Sequence, residues 1–317
     1  MKFKNQPLVT IAIPTYNRGE KFLTHALGCA LNQTYEHLEI IVSDNASTDN
    51  TEAVVKSFSD PRIHYIKQEK NLGANNNFNF CLNTAKGEYL LLLLDDDLID
   101  SDLIQLFVDS LSFNPDAGVL FSGTRVIDEE TNILWQSNNN FRGMPLDDFI
   151  LGWFANKTPL YLCSTLFKTE KLKEIGGLHS KHNLYQDTLA SLTLAAKYGR
   201  IDIPDIKASF RIHSDNMGGK LETIHAWCED CMHLLNTICE FPLEKKDRIR
   251  LEGLRFFAMQ NYNMAIKIQS PIKRIKTYFM INRVFEGIYP PYQLYYNRHI
   301  KPMEYKLKQA IKKLIGR

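Results

Sequence analysis

Five consecutive leucines, Leu90 to Leu94, run directly into three consecutive aspartates, Asp95 to Asp97. An unbroken aliphatic run bounded by charge fits a strand covered on both faces, the habit of parallel strands wrapped by helices. It is the longest such run in the chain and far short of the roughly 20 apolar residues that cross a bilayer. No transmembrane helix is therefore expected. Three like charges at its end repel and raise one another's pKa unless a cation sits among them. A hard divalent ion, Mg²⁺ or Mn²⁺, is the simplest remedy, since such ions are held by one or two carboxylates plus phosphate oxygens. The competing reading is that the aspartates only cap a turn in solvent.

The rest of the first half repeats short apolar runs separated by amphipathic stretches, the rhythm of βα units. Strands are predicted at Leu8–Ile13, Leu38–Ser43, Ile63–Lys67, Tyr89–Leu94 and Val119–Ser122. Asp49 with Glu52 has capping-box spacing for a helix through Phe58, and Ser101 with Asp102 opens one running to Phe113. The fold class is α/β, a Rossmann-like, mostly parallel central sheet flanked by helices. With 317 residues, 44% of them hydrophobic, and no repeat or low-complexity tract, solenoid, collagen-like and disordered classes are excluded. From about Lys220 the β character fades into helical spacing. The turn at Met217-Gly218-Gly219-Lys220 divides a domain of residues 1–217 from a helical region of residues 218–317.

Polar residues crowd the carboxyl ends of four strands, where ligands bind in open α/β sheets. They are Pro14-Thr15-Tyr16-Asn17-Arg18, Asp44 to Asp49, Asn71-Leu72-Gly73-Ala74-Asn75 and the three aspartates. With these motifs in hand, a resemblance is plain. VTIAIPTYNR, EIIVSDNASTDNT, NLGANNNFN, AKGEYLLLLLDDD and YQDTLASLTLA follow one another over about the first 215 residues. The ordered set resembles the GT-A glycosyltransferases of family 2, inverting enzymes that use nucleotide-sugar donors.

The resemblance implies roles residue by residue. Pro14, Thr15, Tyr16, Asn17 and Arg18 would line the nucleotide pocket, with Tyr16 offering an aromatic face. Asp44 looks like the family's base-reading carboxylate, favouring UDP-, CDP- or dTDP-linked sugars. Asn71 and Gly73 would let backbone approach the ribose and diphosphate. Asp95 and Asp97 correspond to the ends of a DXD motif, one meeting the ribose and the other the metal; the triple aspartate keeps Asp96 in the set. Asp187, where the family carries Glu-Asp and this chain has Gln186-Asp187, would be the base that deprotonates the acceptor; its alternative role is a helix N-cap. His213 resembles an extra metal ligand, against the alternative of a structural hydrogen-bonder. The family often has Ala-Arg-Asn where this chain has Asn77-Phe78-Asn79, and Arg211 is one substitute for that arginine beside the diphosphate. A metal cofactor, Mn²⁺ or Mg²⁺, follows from the same resemblance.

Two further segments carry expectations. His225, Cys228, Cys231 and His233, with Cys239 nearby, have zinc-like composition, but they read as one helix, and ligands from a single helix cannot close a tetrahedron. From Lys267 to the end there are 12 Lys+Arg against 2 Asp+Glu, and Met303, Leu307, Ala310, Ile311, Leu314 and Ile315 fall on one helical side opposite lysines. That suits an anionic membrane surface; packing on the protein itself, or on a sister subunit in a homo-oligomer, competes. Nucleic acid is not expected, because no binding module accompanies the basic run. The start lacks the apolar stretch of a secretory signal, so a cytoplasmic protein is expected, peripherally bound to the inner face of the cell membrane, with all six cysteines as free thiols. The acceptor is expected to be a glycan or lipid-linked glycan of a surface polysaccharide, bound by Ser122 to Lys157 with Trp135, Asn138 to Asn140, Phe141 and Trp153. A noncatalytic sugar-nucleotide-binding or assembly subunit of the same fold is the alternative function.

Overall fold

The computed structural model describes residues 6–213 and 223–290. In chain order the elements are β1 (Val9–Thr15), α1 (Thr24–Leu31), β2 (Leu38–Asp44), α2 (Thr51–Lys56), β3 (Ile63–Lys67), α3 (Ala74–Thr84), β4 (Tyr89–Leu92), β5 (Leu98–Ile99), α4 (Leu103–Ser110) and β6 (Val119–Ile127). Then come β7 (Ile133–Ser137), α5 (Leu146–Phe154), β8 (Thr165–Lys168), α6 (Thr169–Glu174), α7 (Gln186–Tyr198), β9 (Arg200–Arg211), α8 (Ile224–Glu240), α9 (Lys246–Ala265) and α10 (Pro271–Val284).

One sheet runs β3-β2-β1-β4-β8-β6-β9-β5, with β7 added to the distal half of β6. The strands β3, β2, β1 and β4 are parallel neighbours, as are β6 and β9; β8 enters antiparallel between β4 and β6. Register aligns the carboxyl ends: Thr15 lies level with Asp44, and Ala12 with Leu92. The three aspartates therefore emerge beside the Thr15–Arg18 loop.

The leucine run now has a physical explanation. Alternate side chains of a strand point to opposite faces, and both faces of this sheet are covered. Leu91 and Leu93 join Val9, Ile11, Ile13, Ile40 and Val42 beneath α1 and α4. Leu90 and Leu92 join Ala12 and Ile41 on the other face, in a cluster that continues through α3, α5, α7 and the three C-terminal helices to Phe285. Neither face could tolerate a polar residue without a partner.

The predicted helix from Asp49 is shorter than expected, Thr51–Lys56, and is not closed by a capping box. Asp49 instead accepts from Thr51 N at 3.0 Å and Gly19 N at 3.1 Å, while Glu52 pairs with Lys56 and Lys67. All six cysteines are free. Cys228 and Cys231 are buried on α8 beside Asn261, as the helix reading of that cluster requires. The domain boundary and the amphipathic segment from Met303 to Ile315 lie outside the described residues. Among the described residues no helix is long and apolar enough to cross a membrane.

Candidate active site

Three loops at the carboxyl end of the parallel strands are tied to one another. Asn17 takes a left-handed conformation (φ 53°), which lets its N–H donate to Ser47 Oγ at 2.9 Å while its Oδ1 accepts from Thr48 N at 2.8 Å. Asp44, fully buried, accepts from Ser47 N at 2.7 Å and from the Tyr65 hydroxyl at 2.5 Å. Each carboxylate oxygen keeps further acceptor capacity. Asn45 joins the second loop to the third: its amide donates to Asn71 Oδ1 at 3.0 Å and accepts from Leu72 N at 2.7 Å. Gly73 follows at φ +81°, a conformation that side chains rarely adopt. Tyr16 is 44% exposed above these loops, whereas Pro14 and Thr15 are buried in β1.

The departure at Asn77-Phe78-Asn79 is structural. Asn77 is buried, accepts from Ser43 Oγ at 2.6 Å and donates to Ser43 O at 3.0 Å, bracing α3 against β2. Asn79 clasps the backbone of Leu178 in both directions, each at 2.9 Å. Phe78 packs against the core.

The aspartates occupy three environments. Asp95 is held at a pKa of about 7 by burial first and by the Asp96 charge second, with Arg18 and the Tyr16 backbone opposing. The Thr15 hydroxyl also draws it down, although it makes no hydrogen bond of normal geometry. Asp96 accepts from His213 Nε2 at 2.8 Å. Asp97 is buried; its Oδ1 accepts from Arg211 N at 2.9 Å, and its Oδ2 has no partner among the described residues. Burial, then Asp96, pushes the Asp97 carboxyl well above the ordinary range.

Among the described residues no three His, Cys, Asp or Glu side chains form a ready-made cation site. The donor set nevertheless fits an ion that takes most of its ligands from phosphate: a buried carboxylate oxygen without a partner beside a second carboxylate and an imidazole. Expected near the diphosphate, Arg211 is placed instead as a clamp. It is buried, and its guanidinium donates to Asp96 O, Asp128 O, Glu129 O and Thr131 Oγ1 at 2.8–3.1 Å, fixing the β6–β7 turn on the aspartate loop. Arg18 is the guanidinium whose charge reaches Asp95.

Asp187 is the second residue of α7, after the cap position at Tyr185, and accepts from Thr188 N at 2.8 Å. It is thus not the N-cap. Burial raises its pKa. Tyr161 links it to the aspartate loop: the Tyr161 hydroxyl is pushed up to about 12 by burial, then by Cys163, Asp97 and Asp187. Asp97 and Asp187 therefore both lie within electrostatic reach of one buried tyrosine. Two residues inside the sequence motifs were missed. Asn75, with both amide atoms buried, and Gln186, with a buried Oε1, lack partners among the described residues. Buried polar atoms of this kind are met by ordered water, an ion or a ligand, and both belong to strings already singled out.

Part of the expected acceptor segment is packed into the fold. Asn139 is fully buried and bonds Phe121 O, Asp202 and Thr158. Asn138 donates to Pro204 O at 3.0 Å. Phe141 packs so closely on Gly152 that a Cβ there would sit 2.0 Å from its ring, and Trp153 packs on Phe154, Phe256 and Phe257. Trp135, 43% exposed on β7, Asn138 and Asn140 are the exposed members of that set.

A mixed sheet with helices on both faces and this loop cluster defines the GT-A class of fold. Residues 10–176, more than half of the chain, match the sequence profile described as Glycosyl transferase family 2. The chain belongs to that family. It is 35% identical over 133 residues to an uncharacterized glycosyltransferase of Methanocaldococcus jannaschii, covering 41% of this chain and 46% of that protein. It is 32% identical over 138 residues to the chondroitin synthase of Escherichia coli, covering 43% of this chain and 20% of that one. The matched segment thus spans less than half the length of either relative. TarS of S. aureus in complex with UDP-GlcNAc superposes with a TM-score of 0.66 at 17% identity, covering 89% of this chain and 81% of TarS. A mannosyltransferase of Pyrobaculum calidifontis in complex with GDP-Man and Mn²⁺ gives 0.58 at 19%, covering 98% and 88%. At such identities the likeness concerns the fold.

Proposed function

We propose that this chain is a metal-dependent inverting glycosyltransferase that moves a sugar from a pyrimidine nucleotide-diphosphate donor to a saccharide acceptor. The observation that carries this reading is the buried Asp97 at the carboxyl end of the parallel strands, its Oδ2 without a partner among the described residues, in a member of family 2. Tyr16, Asn17, Asp44 and the Asn71–Gly73 turn hold the nucleotide. Asp97, Asp96 or Asp95, and His213 would hold Mn²⁺ or Mg²⁺ against the donor phosphates, where the ion would neutralise charge on the leaving diphosphate. Asp187 takes the proton of the acceptor hydroxyl. A carboxylate with its pKa raised by burial is a stronger base than one in water, which suits that task. Asn75 and Gln186 supply hydrogen bonds to the bound substrates.

Thermal shift with UDP, CDP, dTDP and GDP, each with and without Mn²⁺, tests the donor half. Stabilisation by a pyrimidine nucleotide that needs both the ion and Asp97 is the expected result. Stabilisation by GDP alone would overturn the pyrimidine preference, and none by any nucleotide would favour a noncatalytic role.

The acceptor in this reading is lipid-linked, met at the inner face of a membrane from the cytoplasm. Support comes from α10 as well as from the basic tail. Its buried side carries Thr277, Ile281 and Phe285, yet the opposite side exposes Ile272 (70%), Ile275 (54%) and Phe279 (61%). Lys273, Lys276 and Arg283 flank that side, with no acidic residue between positions 267 and 283. Basic residues around an apolar stripe match an anionic bilayer surface. Replacing Ile275 and Phe279 by Ser, or truncating before Lys301, should lower partitioning onto phosphatidylglycerol vesicles several-fold. Unchanged partitioning in both would refute the membrane reading.

A further inference from the structure

The loop that delivers Asp187 is built around a carboxylate from outside the family-matched region. Asp230, on α8, is completely buried. Its Oδ2 accepts from Ser180 Oγ at 2.6 Å, Leu184 N at 2.8 Å and Tyr185 N at 3.0 Å, and its Oδ1 from His182 N at 2.9 Å. Four donors from one six-residue loop therefore converge on one side chain. The loop needs that support, because Asn183 within it takes a left-handed conformation (φ 55°), costly for a residue with a side chain. Its other restraints also come from distant elements: Asn79 of α3 holds Leu178, and Gln260 of α9 accepts from the Tyr185 hydroxyl at 2.6 Å.

We propose that Asp230 is a positioning residue for the transfer reaction, fixing the 180–185 loop so that Asp187 enters the site in line with the acceptor. Desolvating a carboxylate is costly unless its lone pairs are filled, and here every bond that fills them lands between two and seven residues before the candidate base. A side chain meant only to join α8 to the core could have been apolar, like its neighbours Cys228, Cys231, Leu234 and Leu235. The inference rests on the assignment of Asp187 as base, and the test separates the two.

Asp230→Asn keeps the shape but removes the charge and the acceptor capacity of one oxygen. Expected is a fall in kcat of about 10–100-fold, the scale of a displacement near 1 Å, with donor KM within about twofold of wild type. Asp230, Tyr161 and Tyr185 face Asp187, and the Asp230 charge is one cause of the raised pKa of Asp187. Removing it should also move the acid limb of the kcat profile to lower pH, which a purely structural loss would not do. Ser180→Ala removes one of the four donors; it should lower kcat a few-fold at unchanged donor KM, and it carries the test if Asp230→Asn does not fold. Wild-type kcat per folded molecule with an unmoved acid limb in Asp230→Asn, or wild-type kcat in Ser180→Ala where that variant carries the test, would overturn the inference. Near-normal turnover in Asp187→Asn would instead remove the base assignment on which it stands.

Discussion

The two halves of the proposed site, a donor wall and a base wall, are held in different ways. On the donor wall, the loops after β1, β2 and β3 bind one another through side chains that stand about 30 residues apart in sequence: Asn17 with Ser47 and Thr48, Asn45 with Asn71. On the opposite wall, the loop leading to Asp187 makes its main restraints with α3, α8 and α9, and Asp230 lies 50 residues from Ser180. The donor wall is self-contained and pre-organised; the base wall is assembled by the whole chain. Local loop-to-loop bonds let a nucleotide site persist while the rest of a protein diverges. A base supported from afar is free to be re-aimed at another acceptor.

The contrast can be broken first at its strongest point. Asp187→Asn should lower turnover by about 10²–10⁴-fold, the usual contribution of a general base, while nucleotide stabilisation in thermal shift stays as in wild type. Loss of both together would mean that the walls are not independent. Next, Asp97→Asn should abolish the part of nucleotide stabilisation that depends on Mn²⁺ and cut kcat/KM by about 10²-fold or more; chelation of the wild type by EDTA should reproduce the loss. Asn45→Ala removes two bonds between donor loops and should raise donor KM by roughly tenfold, about 1.4 kcal/mol, with kcat nearly unchanged. The smallest effect is in pH. Asp187 must be ionised to act, and burial raises its pKa. The acid limb of kcat should therefore fall at a higher pH than the ordinary carboxylate value of about 4. A limb at or below that value would show the base to be another group.

The strands β1, β2 and β4 could be read because they are buried on both faces and so are mostly apolar, and the half-exposed edge strand β3 because β-branched and aromatic residues fill it. Ile63–Lys67 has its predicted bounds, and the strands at Val9, Leu38 and Tyr89 differ by one or two residues at their ends. The strand from Val119 runs on to Ile127 because β7 and β9 extend its pairing. Those partners were not legible: β7 is exposed at Ile133, Leu134 and Trp135, and β9 is interrupted in pattern by Pro204. The residues named in the acceptor segment divide for a related reason. Asparagines and aromatics suit sugars, but Asn139 and Trp153 suit a packed corner equally well, and only burial distinguishes the two uses. Asp230 left a faint trace, a charged residue between Cys228, Cys231 and Leu234 on the apolar side of a helix, overshadowed by the zinc-like composition around it.

The cluster that begins at Ala12 and ends at Phe285 has an engineering consequence. The family profile matches only as far as residue 176, so the last helices look like an interchangeable cassette. Their side chains, however, complete the same hydrophobic face that the leucine run helps to build. A chimera that exchanged them with those of a relative would inherit a mismatched interior as well as a new specificity. The last helices and the sheet of the family-matched region thus share one interior, and a change of volume in either is felt as packing in the other.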